Sequence, residues 1–335
     1  MRRRPRDPLP PGVIGTHPAG GAEARPTRGH LRPLANRDPV EVWPQVAGAL
    51  DAQASRLVPL VDAHMHLQEE VYEGHVDDIA LRAAAAGVAV LVSCGTHPGD
   101  WGRTAEIAET HSAIVPAFGL HPWFIDDAPP DWPDSLRRWL LSVPSLVGET
   151  GLDGAVSAPT LDVQEQALRV HMRLARELTR PLCLHCVRAY GRLLEVLRSE
   201  EPLPAGLLLH AFAGSPEMIP RFAECGAYFS FGGNVLYDTH VRARRALVAV
   251  PEDRLLVETD APTLLPPEEF RSTAVQGTRG RVWNEPANLP AIAGGIAGLL
   301  GVPGGELRRR LWCNVGRFLA PVRHLIIPLA REGGA

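Results

Sequence analysis

The chain has 335 residues, 45% hydrophobic and 21% charged, with a formal net charge of −4. That length suits one large globular domain plus an extension, and no run of about 18 apolar residues is present to span a membrane. All 34 basic residues are arginine, which excludes a Schiff-base lysine, a bridging carbamylated lysine and a P-loop lysine.

Residues 1–39 stand apart in composition. They hold eight arginines against Asp7, Glu23 and Asp38, among many prolines and glycines, and the extension is expected to be largely disordered up to residue 55. Arg2-Arg3-Arg4 is not followed by an apolar stretch, so a secretion signal is not expected. A nucleic-acid-binding arm is one reading; a dispensable tail or an upstream start is favoured over it. Eight minus three is +5, so the remainder carries −4 − 5 = −9. Such an acidic body is a poor clamp for duplex DNA, where affinity rests on neutralising phosphates; a nucleic-acid substrate would have to be held by a short or frayed end, and a small phosphodiester or an ester is an alternative. Five cysteines without a secretion signal point to a reducing cytoplasm, and a monomer is expected. In Cys183-Leu184-His185-Cys186 the two thiols should face opposite sides of a strand, which argues against redox chemistry.

Eight strand and helix alternations follow, the pattern of a parallel sheet with helical crossovers. Strands are expected at 59–65, 88–94, 114–119, 145–149, 180–185, 206–210, 226–231 and 254–259. Helices should fill 75–86, 101–112, 133–142, 160–178, 189–200, 215–224 and 238–249. In 160–178 the residues Val163, Ala167, Val170, Leu174 and Leu178 recur at near-helical spacing. A long polar loop then runs to Trp283, followed by helices at 286–300 and 304–320; the domain ends near 322 and a tail occupies 323–335.

The first strand ends in the chemistry-bearing motif His64-Met65-His66. Alternation puts Asp62, His64 and His66 on one face, where two imidazoles can grip a divalent metal and Asp62 can fix a ring tautomer. Later apolar runs end in Glu149, His185, His210 and Asp260. Isolated, each would be a cap or loop residue; five ionisable groups at successive strand ends point to a shared site. With no lysine, a binuclear centre needs a carboxylate bridge, for which Glu149 is the candidate. The imidazole and carboxylate set suits Zn2+, Mn2+ or Fe2+, with Mg2+ a further expectation.

Asp62-Ala63-His64-Met65-His66-Leu67, Gly119-Leu120-His121-Pro122, Gly148-Glu149-Thr150-Gly151-Leu152-Asp153, His210-Ala211-Phe212-Ala213-Gly214, Glu258-Thr259-Asp260-Ala261-Pro262 and Asn284-Glu285-Pro286 together resemble the motif series of the TatD family of metal-dependent DNases, over about residues 57–322. The resemblance implies a (β/α)8 TIM barrel, with its domain at 56–322, and two divalent ions hydrolysing phosphodiesters of DNA from an end. It implies that His64, His66 and Asp260 hold one ion, His185 and His210 the other, and Glu149 both. Asp260 would also be the general base. His121 and Arg188 are expected to contact substrate, Glu258 to support the ligands or line the barrel, and Asn284 and Glu285 to order the late loop or support the ligands. Three departures bear on the contacts: Arg188 lies one position later than usual after His185, Thr150 replaces an aliphatic residue, and Gly154 replaces an aromatic. Alternatives are an amidohydrolase-like or aminoacyl-ester hydrolase, and a non-catalytic binding protein.

Overall fold

The computed structural model describes residues 58–277 and 280–322; the expected N-terminal extension and C-terminal tail lie outside the described residues. Eight parallel strands pair in chain order: β1 (Leu60–Met65), β2 (Val88–Cys94), β3 (Ile114–Phe118), β4 (Leu146–Asp153), β5 (Leu182–Val187), β6 (Leu207–Leu209), β7 (Ala227–Phe231) and β8 (Leu255–Val257). Crossovers are made by α1 (Val76–Ala85), α2 (Trp101–Thr110), α3 (Trp132–Ser142), α4 (Leu161–Glu177), α5 (Tyr190–Ser199), α6 (Ile219–Ala223) and α7 (Val241–Ala249). The expected (β/α)8 barrel is therefore present. The ring closes beyond β8, where Asp260 N donates to His64 O (3.0 Å) and His66 N to Ala261 O (2.8 Å). The closing seam thus runs through three of the candidate ligands.

Apolar side chains divide into two layers. Val61, Ala63, Val92, Val115, Ala117, Cys183, Leu208 and Leu256 fill the barrel interior with Val315 and Phe318 of α9 (Gly304–Phe318). Leu182, Leu184, Cys186, Leu207 and Leu209 pack outward in the helical shell. Cys183 and Cys186 fall in different layers, so the thiols diverge as predicted, and all five cysteines are free. The apolar helix α8 (Leu289–Leu300) buries Leu289, Ile292 and Ile296 in the outer layer; no single described helix is long and apolar enough to cross a membrane.

Several boundaries differ from expectation for local reasons. Strand β4 runs on to Asp153, paired with β5 through Asp153 and Val187. The stretch 215–224 divides into a 3-10 turn, Pro216–Met218, and the short α6, because Pro216 and Pro220 each open a helical segment. In α4 the buried stripe is Ala167, Leu168, Met172 and Ala175, whereas Val163 is exposed. The polar loop contains a two-stranded ribbon, Val275–Gln276 against Val282–Trp283. Alternation also fails in β1: its register against β2 shifts between Asp62 and Met65, an irregularity that re-aims side chains.

Candidate metal centre

Glu149 is the hub. It is 2% exposed, and its two oxygens face different groups. Oε2 lies 3.3 Å from His64 Nε2 and 3.4 Å from His66 Nε2. Asp260 Oδ1 completes this side, 3.9 Å from His64 Nε2 and 3.5 Å from His66 Nε2. Oε1 faces His185 Nδ1 at 3.1 Å, His210 Nε2 at 2.9 Å and His121 Nε2 at 3.5 Å. Six predicted ligands from β1, β4, β5 and the ends of β6 and β8 are thus brought together at one mouth of the barrel. Gly151 permits the approach of β4 to β5: a Cβ there would stand 1.9 Å from His185 O.

Three imidazoles have a second hydrogen-bond partner that orients them, and His210 has a carboxylate nearby but beyond hydrogen-bond distance. His66 Nδ1 donates to Cys94 O (2.7 Å), leaving the Nε2 lone pair toward the carboxylates. His64 Nδ1 lies 3.4 Å from Cys94 Sγ, His185 Nε2 3.3 Å from Asp153 Oδ2, and His210 Nδ1 3.7 Å from Glu258 Oε1. His64 Nε2 is buried and has no hydrogen-bond partner although a carboxylate faces it. Nitrogen lone pairs and carboxylate oxygens converging on enclosed gaps fit divalent cations, and the geometry groups His64, His66 and Glu149 as well as His64, His210 and Asp260.

The electrostatics follow from this convergence. Burial and the neighbouring His210 oppose a charge on His64, yet Glu149 outweighs them and carries its pKa to about 10. Burial likewise opposes the charge of Glu149, but the surrounding imidazoles hold it well below the carboxylate range. His121 differs: burial lowers it to about 3, so the ring is neutral. Its Nδ1 accepts from Trp123 N (3.2 Å), which leaves the proton on Nε2. His121 therefore points a donor, not a lone pair, toward Glu149 Oε1, and the ring lies within ligand distance of Glu149 and His185.

One expectation is corrected. Asp62 orients no imidazole; its carboxylate accepts Thr259 N (2.9 Å), Thr259 Oγ1 and, at 3.4 Å, the His64 backbone N, stapling the seam. Of the two alternatives for Glu285 the structure has the loop contact: it turns away from the ligands and binds the Arg82 guanidinium of α1 through both oxygens, tying down the late loop. Asn284 fulfils the loop-ordering role. Its Nδ2 donates to Thr259 O (2.9 Å) and Leu264 O (3.3 Å), bracing the segment that presents Asp260. Glu258 accepts from Ala211 N and Ser230 Oγ beneath His210. Arg188 is exposed on the rim with φ +52°.

Two of the sequence departures are one structural change. Gly154 N donates to Val187 O (2.7 Å), and a Cβ on Gly154 would meet Arg188 O at 2.9 Å, so the displaced arginine and the missing aromatic go together. Thr150 Oγ1 accepts from His171 Nδ1 (3.2 Å). Sequence reasoning missed Asp153, which binds His185 and Trp123 Nε1 (2.7 Å); the alternation Glu149, Gly151, Asp153 would have found it had β4 been extended. It also missed Cys94 and Thr263, whose Oγ1 donates to Asp260 Oδ2 (2.8 Å).

Comparison with known proteins agrees with this geometry. The family model described as TatD related DNase matches residues 61–320. The "uncharacterized metal-dependent hydrolase YcfH" of Escherichia coli K12 is 32% identical over 262 residues, covering 77% of this chain and 95% of that protein. The "3'-5' ssDNA/RNA exonuclease TatD" of Salmonella typhimurium is 31% identical over 241 residues, 71% of this chain and 90% of that one. The crystal structure of YjjV, a TatD homologue from E. coli K12, superposes with a TM-score of 0.71 at 26% identity, covering 77% of this chain and 97% of the other. The chain belongs to the TatD-related DNase family.

Proposed function

We propose that this protein is a metal-dependent phosphodiesterase that trims nucleic acid from a strand end, working with two divalent ions (Mg2+, Mn2+ or Zn2+) as a monomer in a reducing cytoplasm. The observation that carries the reading is Glu149, whose two oxygens face two separate sets of imidazoles. His64, His66 and Asp260 would hold one ion, His185 and His210 the other, and Glu149 both. When bound, such a pair polarises a phosphoryl oxygen and eases deprotonation of water.

The protein's own groups supply the rest. Asp260 directs Oδ1 toward the histidines and keeps Oδ2 against the Thr263 hydroxyl, so Oδ2 is an oriented acceptor for the proton of the attacking water. His121 offers its neutral Nε2–H to a phosphoryl oxygen, and Arg188 on the rim meets the next phosphate along the strand. The relatives named as exonucleases of single-stranded DNA and RNA support this substrate class. Purified protein assayed on a 3′-labelled single strand beside an aminoacyl ester, with and without chelator and with elemental analysis, tests the reading. Chelator-sensitive release of nucleotides is expected; turnover of the ester alone would overturn it.

A further inference from the structure

The rim holds an aromatic residue that neither core accounts for. Among the described tryptophans, Trp101, Trp132, Trp139, Trp283 and Trp312 all belong to or pack against the two apolar clusters; Trp123 does neither and is half-buried. It follows β3 in the turn Pro122–Phe124 and is fixed at two points, its backbone N on His121 Nδ1 (3.2 Å) and its Nε1 on Asp153 Oδ2 (2.7 Å). Its ring stands edge-to-face with His121 at 4.8 Å and with His185 at 6.1 Å. Phe124 sits alongside, half-buried, 4.9 Å from His97.

We propose that Trp123 is a stacking shelf for the base of the terminal nucleotide and so determines specificity for unpaired ends. The inference rests on the phosphodiesterase reading and deepens it. A rigid indole presented beside the candidate ligands costs little conformational entropy to use. Stacking needs no positive charge, which suits a chain that carries −9 beyond residue 39 and a rim that continues from Phe124 through exposed Asp126 and Asp127. Every base has a π-face, so a stacked end is bound without sequence preference, while a paired end keeps its base in the duplex.

The test compares two single strands that differ only in the 3′-terminal residue, one with its base and one abasic, with 5′ labels. Binding is read by anisotropy in chelator, and kcat/KM with Mn2+. Wild type should favour the base-bearing strand in both measurements by roughly 5- to 100-fold. Trp123→Leu should abolish that preference, losing far more on the base-bearing strand than on the abasic one. Trp123→Phe, which keeps the ring but not the Asp153 hydrogen bond, should retain most of it. Equal losses on both strands in the leucine variant would make Trp123 a support for Asp153 only and overturn the proposal, as would a wild type indifferent to the base or without measurable binding. Base-dependent binding with no turnover would instead overturn the hydrolytic reading and leave the shelf standing.

Discussion

At the scale of the residue, Glu149 and Asp260 are both buried carboxylates, yet they should fail differently. Asp260→Asn keeps an amide oxygen for a cation but cannot take a proton, so the fold and at least one ion should remain while hydrolysis falls by ~10²-fold or more. Glu149→Gln removes the negative charge between two imidazole sets, and the ion beside His185 and His210 should be lost. Metal stoichiometry and rate, measured together, separate base from bridge; a fully loaded Asp260→Asn with normal rate would move the acceptor elsewhere. His171 gives a pH prediction away from the ligands. Burial lowers it from 6.5 to about 4, and its neutral Nε2 accepts Leu120 N at 2.9 Å. A histidine depressed on folding stabilises fully above its unfolded value and loses that contribution as pH falls through the folded one. Between pH 6.5 and 4 the contribution is about 3 kcal/mol. Denaturant titrations at pH 7.5 and 4.5 should show a smaller acid loss in His171→Gln than in wild type. The ligand residues were legible because imidazoles and carboxylates seldom end apolar strands by accident. Not all their supporting partners were: Cys94, whose carbonyl holds His66, lies 28 positions away, and nothing in either segment announces the other.

At the scale of the element, the strands could be read from apolar runs, but the seam depends on side chains standing in for a missing ladder. No strand pairing joins β8 to β1; the Asp62 carboxylate takes up Thr259 N and Oγ1, and backbone bonds from Asp260 and His66 finish the closure. Alternation predicted a ligand-orienting Asp62, and the register shift in β1 turned it into the seam instead. Asp62→Ala leaves a buried N–H unpaired and should cost roughly 2–4 kcal/mol, seen as a fall in Tm of several degrees. An unchanged Tm would mean the seam is closed by the backbone alone. Asn284 acts on the same stretch from the far side. The segment it braces begins and ends with strained backbone, φ +48° at Asp260 and +40° at Leu264. Asn284→Ala should therefore reduce kcat by about tenfold or more with KM little changed, since the acceptor is misaimed rather than the strand unbound. A rise in KM alone would place Asn284 in substrate binding.

At the scale of the whole molecule, charge is distributed against the proposed chemistry, and the distribution yields a test. Residues 40–335 carry −9, the first 39 residues +5. A polyanionic strand approaching such a body gains attraction only from the candidate metal centre, from rim arginines such as Arg188, and from the N-terminal arginines. These sources differ in reach: the first two act on one or two phosphates at the strand end, whereas eight arginines on a separate segment can touch phosphates far from it. Deleting residues 1–39 should accordingly leave turnover of a short single strand within about twofold, because the ligands, His121 and Trp123 all come from the barrel. Binding to a long strand at low salt should weaken. The slope of log K against log salt should become shallower by roughly 0.7 for every arginine that had neutralised a phosphate. At higher salt the two proteins should converge, since counterion release is then worth little. A collapse of activity on the short strand would put the extension in the catalytic site, and an unchanged salt slope on the long one would remove it from nucleic-acid binding altogether.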